Sequence, residues 1–304
     1  MTLAVAAPDL AHFDYRLQAR ELSPGVYVVE GANADFSVEN GCNIINTGFI
    51  VTDTGVLVVN TGPDKRYGEQ LRALIARTTP KPVQEVLVLD AHPDYYLGNQ
   101  AFADVPRRAT PATRAAIARV AAAYETNMYR LCGDWMRGTE TLAPDADAKP
   151  GRWSLGGREF ELVEMAGHTD SDLVLIDRAS GIAFVGGLVF VERIPTTPTA
   201  RVAPWLASLD RLEALKLPLV VQSHGPIQTD AAAPQRGIDM TRRYLHWLDR
   251  QFTDWAAQGW EMNDVIRGPV PAEFRGWAAF DTEYLRNVAN LYPLYERSAL
   301  AAPH

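Results

Sequence analysis

Ionisable side chains alternate along Asp90-Ala91-His92-Pro93-Asp94, with Tyr95 next. Carboxylate and imidazole donors together suit a divalent metal such as zinc, iron or manganese. Val86 to Leu89, just before, is an unbroken valine and leucine run that reads as a buried strand, and a helix is expected from near Tyr95. A turn from a buried strand into a helix points side chains into the cleft where α/β folds bind ligands. The same residues also fit a plain capped turn, with Asp94 as the helix N-cap and His92 a satisfied polar group. Two further histidines bear on the choice. His168, in Gly167-His168-Thr169-Asp170, and His224, in Gln222-Ser223-His224-Gly225-Pro226, each follow a predicted strand and adjoin a glycine that permits close backbone approach. Three strand ends carrying ligand-type residues favour one shared site over three separate turns.

The elements that must position these residues can be read from their patterning. Val26 to Glu30, Ile44 to Val51 and Val56 to Val59 are short apolar runs split by Gly and polar turns, hence strands. Asn60-Thr61-Gly62-Pro63 breaks the pattern, and Tyr67 to Arg77 has helical spacing with Leu71, Leu74 and Ile75 on one face. Pro111 to Tyr129 is an Ala-rich helical insertion. Strands follow at Phe160 to Met165, Leu173 to Asp177, Ile182 to Val185 and Leu217 to Gln222, with a helix over Pro204 to Leu215. Amphipathic helices at Met240 to Ala257 and Thr282 to Tyr295 close the chain. Strands interleaved with helices in both halves imply a layered α/β sandwich.

The chain has 304 residues, 47% hydrophobic and 22% charged, with a net charge of -8. The acidic balance and the lack of a long Lys/Arg run argue against nucleic acid. No apolar stretch approaches the roughly 20 residues that span a bilayer. Met1 to Ala7 is small and apolar without a basic flank, so it fits either the scar of a removed signal peptide or a cytoplasmic start. Periplasmic and cytoplasmic locations both stay open.

The order of Asn60-Thr61-Gly62, His92-Pro93-Asp94, Gly167-His168-Thr169 and Ser223-His224-Gly225 resembles the metallo-β-lactamase superfamily. More narrowly, the chain resembles the quinoprotein relay system zinc metallohydrolases. That likeness includes Asn46 to Asp53, Asp134 to Glu140 and Pro195-Thr196-Thr197-Pro198, and runs from about Phe13 to Leu291-Tyr292-Pro293. It implies a four-layer αββα sandwich forming a single domain over 1–304, with a helical C-terminal extension from about 235. It also implies a dinuclear zinc pattern, His-x-His-x-Asp-His followed by His, a bridging Asp and a final His. Here Asp90 stands for the first His, His92 and Asp94 are kept, and Tyr95 stands for the last His of the motif. His168 and His224 are kept, whereas Gly187 falls where the bridging Asp is expected and Asn60 where an Asp-Thr-Gly motif would begin.

The expectation that follows is a hydrolase with one divalent metal, zinc in preference to iron, on Asp90, His92 and His168. Asp94, Tyr95 and His224 are then the catalytic candidates. The alternatives are a non-catalytic descendant that binds a small molecule in the old cleft, and a mononuclear non-haem iron enzyme on the same two histidines and carboxylate. The expected partner is a small-molecule substrate or ligand, with no nucleic acid or membrane; a homodimer is conceivable through the Trp-rich C-terminal region. Cys42 and Cys132 both fall in segments that, by the resemblance, approach the cleft. They are expected to be buried unreactive thiols, with a disulfide or an extra soft ligand as alternatives.

Overall fold

The structure, a computed structural model, describes Asp9 and residues 12–301. The ambiguous start at Met1 to Ala7 lies outside the described residues. Two sheets carry the fold. The first runs in the order β1 (Arg20–Ser23), β2 (Val26–Val29), β3 (Thr47–Val51), β4 (Val56–Val59), β5 (Val83–Leu87), β6 (Arg107–Ala109), β7 (Ala146–Asp147). Its first four strands pair antiparallel and its last four parallel. The second sheet comprises β8 (Gly151–Leu155), β9 (Arg158–Met165), β10 (Asp172–Asp177), β11 (Ile182–Phe184) and β12 (Leu219–Val221), antiparallel except for the parallel β11–β12 pair.

Every residue of β10 is buried because the strand has apolar neighbours on both faces. Leu173 and Leu175 join the core between the sheets, while Val174 and Ile176 face an outer helical layer. This alternation is the period-2 geometry of a strand. The helices of the first side are α1 (Lys65–Thr78), α2 (Pro93–Tyr96) and α3 (Pro111–Cys132). Helix α1 starts where the Asp64 carboxylate accepts from the Tyr67 amide, and it buries Tyr67, Leu71, Leu74 and Ile75. On the other side lie α4 (Val202–Ala214), α5 (Ala233–Ala257), α6 (Met262–Arg267), α7 (Ala272–Arg275) and α8 (Phe280–Ala301). Trp205, Tyr244, Trp247, Trp255, Trp277 and Tyr292 from this side pack into the second core. The molecule is therefore the α/β sandwich the pattern implies, two mixed sheets with helices on both outer faces.

Three expectations shift. The strand expected from Ile44 starts only at Thr47, because the preceding segment bonds to the loop after β12: the Asn46 amide donates to the Ser223 carbonyl. Helix α5 begins seven residues before Met240, at Ala233, where Pro234 suits a first turn. The cysteines are not free thiols. Cys42 and Cys132 form a disulfide, with Cα atoms 5.6 Å apart, that ties the loop before β3 to the end of α3. This also removes either cysteine as a soft metal ligand. No described helix is long and apolar enough to cross a membrane.

Candidate metal centre

The site is built from the carboxyl ends of the strands. Asn60 follows β4 in a left-handed conformation, φ +58, which Asn tolerates better than most residues. Its amide donates to the Leu87 carbonyl and its Oδ1 accepts from the Leu89 amide at 3.0 Å, so it grips the end of β5 on both sides. The chain then turns. Asp90 Oδ1 accepts from the His92 amide at 2.8 Å, and α2 begins with Pro93. His92, not Asp94, occupies the N-cap position, and it makes no side-chain capping bond. Its Nε2 is buried without a partner. The plain capped turn therefore leaves this imidazole unexplained.

His168 arrives from the loop between β9 and β10. Its Nδ1 lies 2.7 Å from Asp90 Oδ2, and its ring centroid is 4.6 Å from that of His92. Its Nε2 is also buried and unpartnered. Asp172, at the start of β10, accepts from the amides of His168 and Thr169 and from the Thr169 hydroxyl, so it fixes the backbone that presents the imidazole. Gly187 matters for what it lacks: a Cβ there would sit 2.0 Å from His168 Nδ1. The imidazole fills the space a side chain at 187 would need. Asp90, His92 and His168 thus form one buried cluster, with one possible ligand atom from each within 4.8 Å of the others.

His224, after β12, points its Nδ1 at the Ile44 carbonyl 3.0 Å away, so Nδ1 carries the proton and donates. Its Nε2 lies 3.5 Å from Asp94 Oδ2, an oxygen with no hydrogen-bond partner. Tyr95 is fully buried, with its ring centroid 6.5 Å from His92 and 6.3 Å from His224. A cavity of about 220 Å³ opens onto His92, Asp94, His168 and His224; Tyr95 is not among its lining residues.

Burial and charge sort these groups. Burial would raise the Asp90 carboxyl, but His92 and His168 hold it well below the usual carboxylate range. Burial lowers His92 to about 4 and keeps His224 neutral. For His168, burial acts downward but the charge of Asp90, with Asp172 adding, raises it to about 10. Burial first, then the charge of Asp90, lifts Asp94 to about 7.

Two imidazoles with free buried nitrogens beside a carboxylate are a donor set that fits one divalent cation. Of the residues singled out from the sequence, Asp90, His92 and His168 meet as one cluster, and Asp94 and His224 pair beside it. Asp172 and the packing role of Gly187 were missed. A carboxylate four residues beyond a ligand-type His, at a strand start, was the available signal for Asp172.

The Metallo-beta-lactamase superfamily model matches residues 40–224, and the chain belongs to that superfamily. Its members bind divalent metals, and the cluster above is the candidate ligand group here. Among solved structures, the chain is similar to a metallo-beta-lactamase from Pontibacter korlensis, at 22% identity and TM-score 0.60 over 76% of this chain and 99% of that one. It is also similar to one from Hirschia baltica (18%, TM-score 0.55, 74% and 97%) and to metallo-beta-lactamase IND-7 (18%, TM-score 0.60, 76% and 98%). At these identities the likeness speaks for the fold alone. A search of curated protein sequences returns no match.

Proposed function

We propose that this protein is a metal-dependent hydrolase that holds a single divalent cation, zinc in preference to iron, on Asp90, His92 and His168. The observation that carries the reading is the buried cluster of Asp90, His92 and His168, with one possible ligand atom from each within 4.8 Å of the others and with both imidazoles on the cavity wall carrying an unpartnered Nε2. A mononuclear site is favoured because Gly187 offers no bridging carboxylate and its space is taken by His168, leaving only Asp94 and His224 for a second ion. When bound, such a cation lowers the pKa of a water molecule and polarises a substrate carbonyl. The residues around it then divide the remaining work. His224, with its proton committed to Ile44, keeps an Nε2 lone pair that accepts a proton or orients a water. Asp94 holds its proton to about neutral pH and can return one to a leaving group. Tyr95, fully buried and outside the cavity lining, packs behind His92 and His224 and is given no contact with substrate, so the oxyanion role expected from the sequence is not assigned.

The substrate is a small molecule matched to the cavity. By motif likeness we group the chain near the quinoprotein relay system zinc metallohydrolases, as a variant with altered ligands. The disulfide supports an oxidising compartment such as the periplasm. The test is elemental analysis of protein purified without chelator. We expect close to one metal per chain; less than about 0.2, with no gain on adding zinc or iron, overturns the reading.

One observation favours a second reading. Asp90 faces the Nδ1 atoms of both histidines, at 2.7 Å for His168 and 3.3 Å for His92, so the carboxylate is already engaged by the two imidazoles. A non-catalytic descendant that binds a small molecule in this cavity accounts for that closure. It requires that His92→Ala or His168→Ala leave stability and ligand binding little changed, whereas the hydrolase reading requires loss of metal and activity.

A further inference from the structure

The cavity has a second polar end that no metal-centred role uses. Its walls are Phe36, Ile44 and Met128, and its far side is formed by α8 through Glu283, Arg286 and Asn290. Glu283 is 1% exposed. Its Oε1 is crowded, accepting from Arg286 at 3.0 Å, from Thr196 at 3.2 Å and from buried Arg193 at 3.5 Å. Its Oε2 is buried with no partner at all. A buried carboxylate oxygen without a donor is rare in folded proteins and costly to leave so.

Two guanidiniums, Arg193 and Arg286, face two carboxylates, Glu283 and Asp35, at this end, so neither sign is in excess there. Arg286 Nη1 is shared between Glu283 and Asp35 Oδ1, each at 3.0 Å, so its charge is already met by two carboxylates. Asp94 adds a carboxyl group to the cavity wall, with its Oδ2 unpartnered. A ligand entering here meets apolar walls and, at Glu283, a carboxylate oxygen that still lacks a donor, while both guanidiniums are already engaged.

We propose that Glu283 is a specificity-determining residue: its Oε2 accepts a hydrogen bond from the hydroxyl or ammonium group of a small, largely apolar ligand, a bond that a carboxylate-bearing analogue cannot supply. As a statement about substrate, this rests on the hydrolase reading; as a statement about binding, it is made of the chelator-treated protein, because a cation on Asp90, His92 and His168 would give a carboxylate a second place to bind in the same cavity. Discrimination comes from the donor: an ammonium or hydroxyl satisfies the unpaired oxygen, whereas a carboxylate brings a like charge to it and leaves it unpaired.

The test uses three matched probes, phenethylamine, phenethyl alcohol and phenylacetate, titrated by calorimetry into the full chain after chelator treatment. We expect the amine and the alcohol to bind at least about tenfold more tightly than phenylacetate, a gap typical of one charge-assisted hydrogen bond. Glu283→Gln is expected to remove most of the amine's advantage. Because Glu283 also anchors Arg193, that variant can fail to fold, so Asp35→Asn provides an independent arm: freeing Arg286 from one carboxylate is expected to improve phenylacetate binding several-fold. Phenylacetate binding as tightly as the amine, no probe binding, or an unchanged ranking in a folded Glu283→Gln or Asp35→Asn variant overturns the proposal. The same ranking in chelated protein that shows no hydrolysis in any condition would end the hydrolase reading while leaving Glu283 its role.

Discussion

At the scale of single residues, the site is held by side chains that do little themselves except fix others. Gly187 is the clearest, since the His168 ring occupies the position of its missing Cβ. Gly187→Ala is therefore expected to push the imidazole off Asp90, costing about 1–3 kcal/mol of stability and lowering metal content well below that of the wild type. Paired urea melts and elemental analysis check both. Asp64 gives a pH-dependent counterpart away from the cluster. Burial raises its carboxyl from 3.8 to about 7, although the Tyr15 hydroxyl and the Tyr67 amide donate to it. Between those values the unfolded chain has released this proton while the folded chain keeps it. The folded state then binds more protons, so this group's contribution to stability falls as pH rises from about 4 to about 7 and levels off above. Asp64→Asn retains an N-cap acceptor and is expected to flatten that slope, by a few kcal/mol across the window, measured by denaturation at several pH values.

At the scale of elements, much of the arrangement was legible in the sequence because strands and helices announce themselves by period. The Val86 to Leu89 run pointed to the strand before Asp90, which spans Val83–Leu87 and so starts earlier and ends two residues sooner than read, and His168 and His224 lie in the loops just after β9 and β12. The short strands β6 and β7 escaped, since three and two residues carry no periodicity. Asp172 and Glu283 escaped for another reason: their importance lies in partners reached only through the fold, such as Arg193, which is 90 positions from Glu283. The disulfide was misjudged on the same ground, because Cys42 and Cys132 are 90 residues apart and only tertiary structure brings them together. It joins the wall carrying Phe36 and Ile44 to α3, which carries Tyr124, Met128 and Leu131 into the same cavity. Cross-linking so long a loop stabilises by about 4 kcal/mol in the chain-entropy account. Replacing both cysteines by Ser is expected to lower the urea midpoint accordingly, and an unchanged midpoint would show that the link adds nothing to stability.

At the scale of the whole molecule, the two cores serve different ends. The inter-sheet core presents the ends of β4, β5 and the β9–β10 loop to one cleft, and the second core docks α5 and α8 on the outer face of the second sheet. Helix α8 then reaches back to line the cavity, so the C-terminal helices contribute to the cleft as well as to packing. The layered class was legible from the interleaving of elements and the motif order. The closure of the cavity by α8 was not, because an amphipathic helix pattern gives the buried face without saying which partner it meets. If the cluster binds a cation only when folded, zinc at a hundred times its dissociation constant stabilises by about 2.7 kcal/mol. The melting temperature should rise with zinc in the wild type and stay fixed in His92→Ala. The most direct test of the mononuclear centre is anomalous diffraction at the zinc edge from crystals grown in excess zinc. One peak bounded by Asp90, His92 and His168 is the expected result; water alone among those side chains, or a second peak between Asp94 and His224, would contradict it.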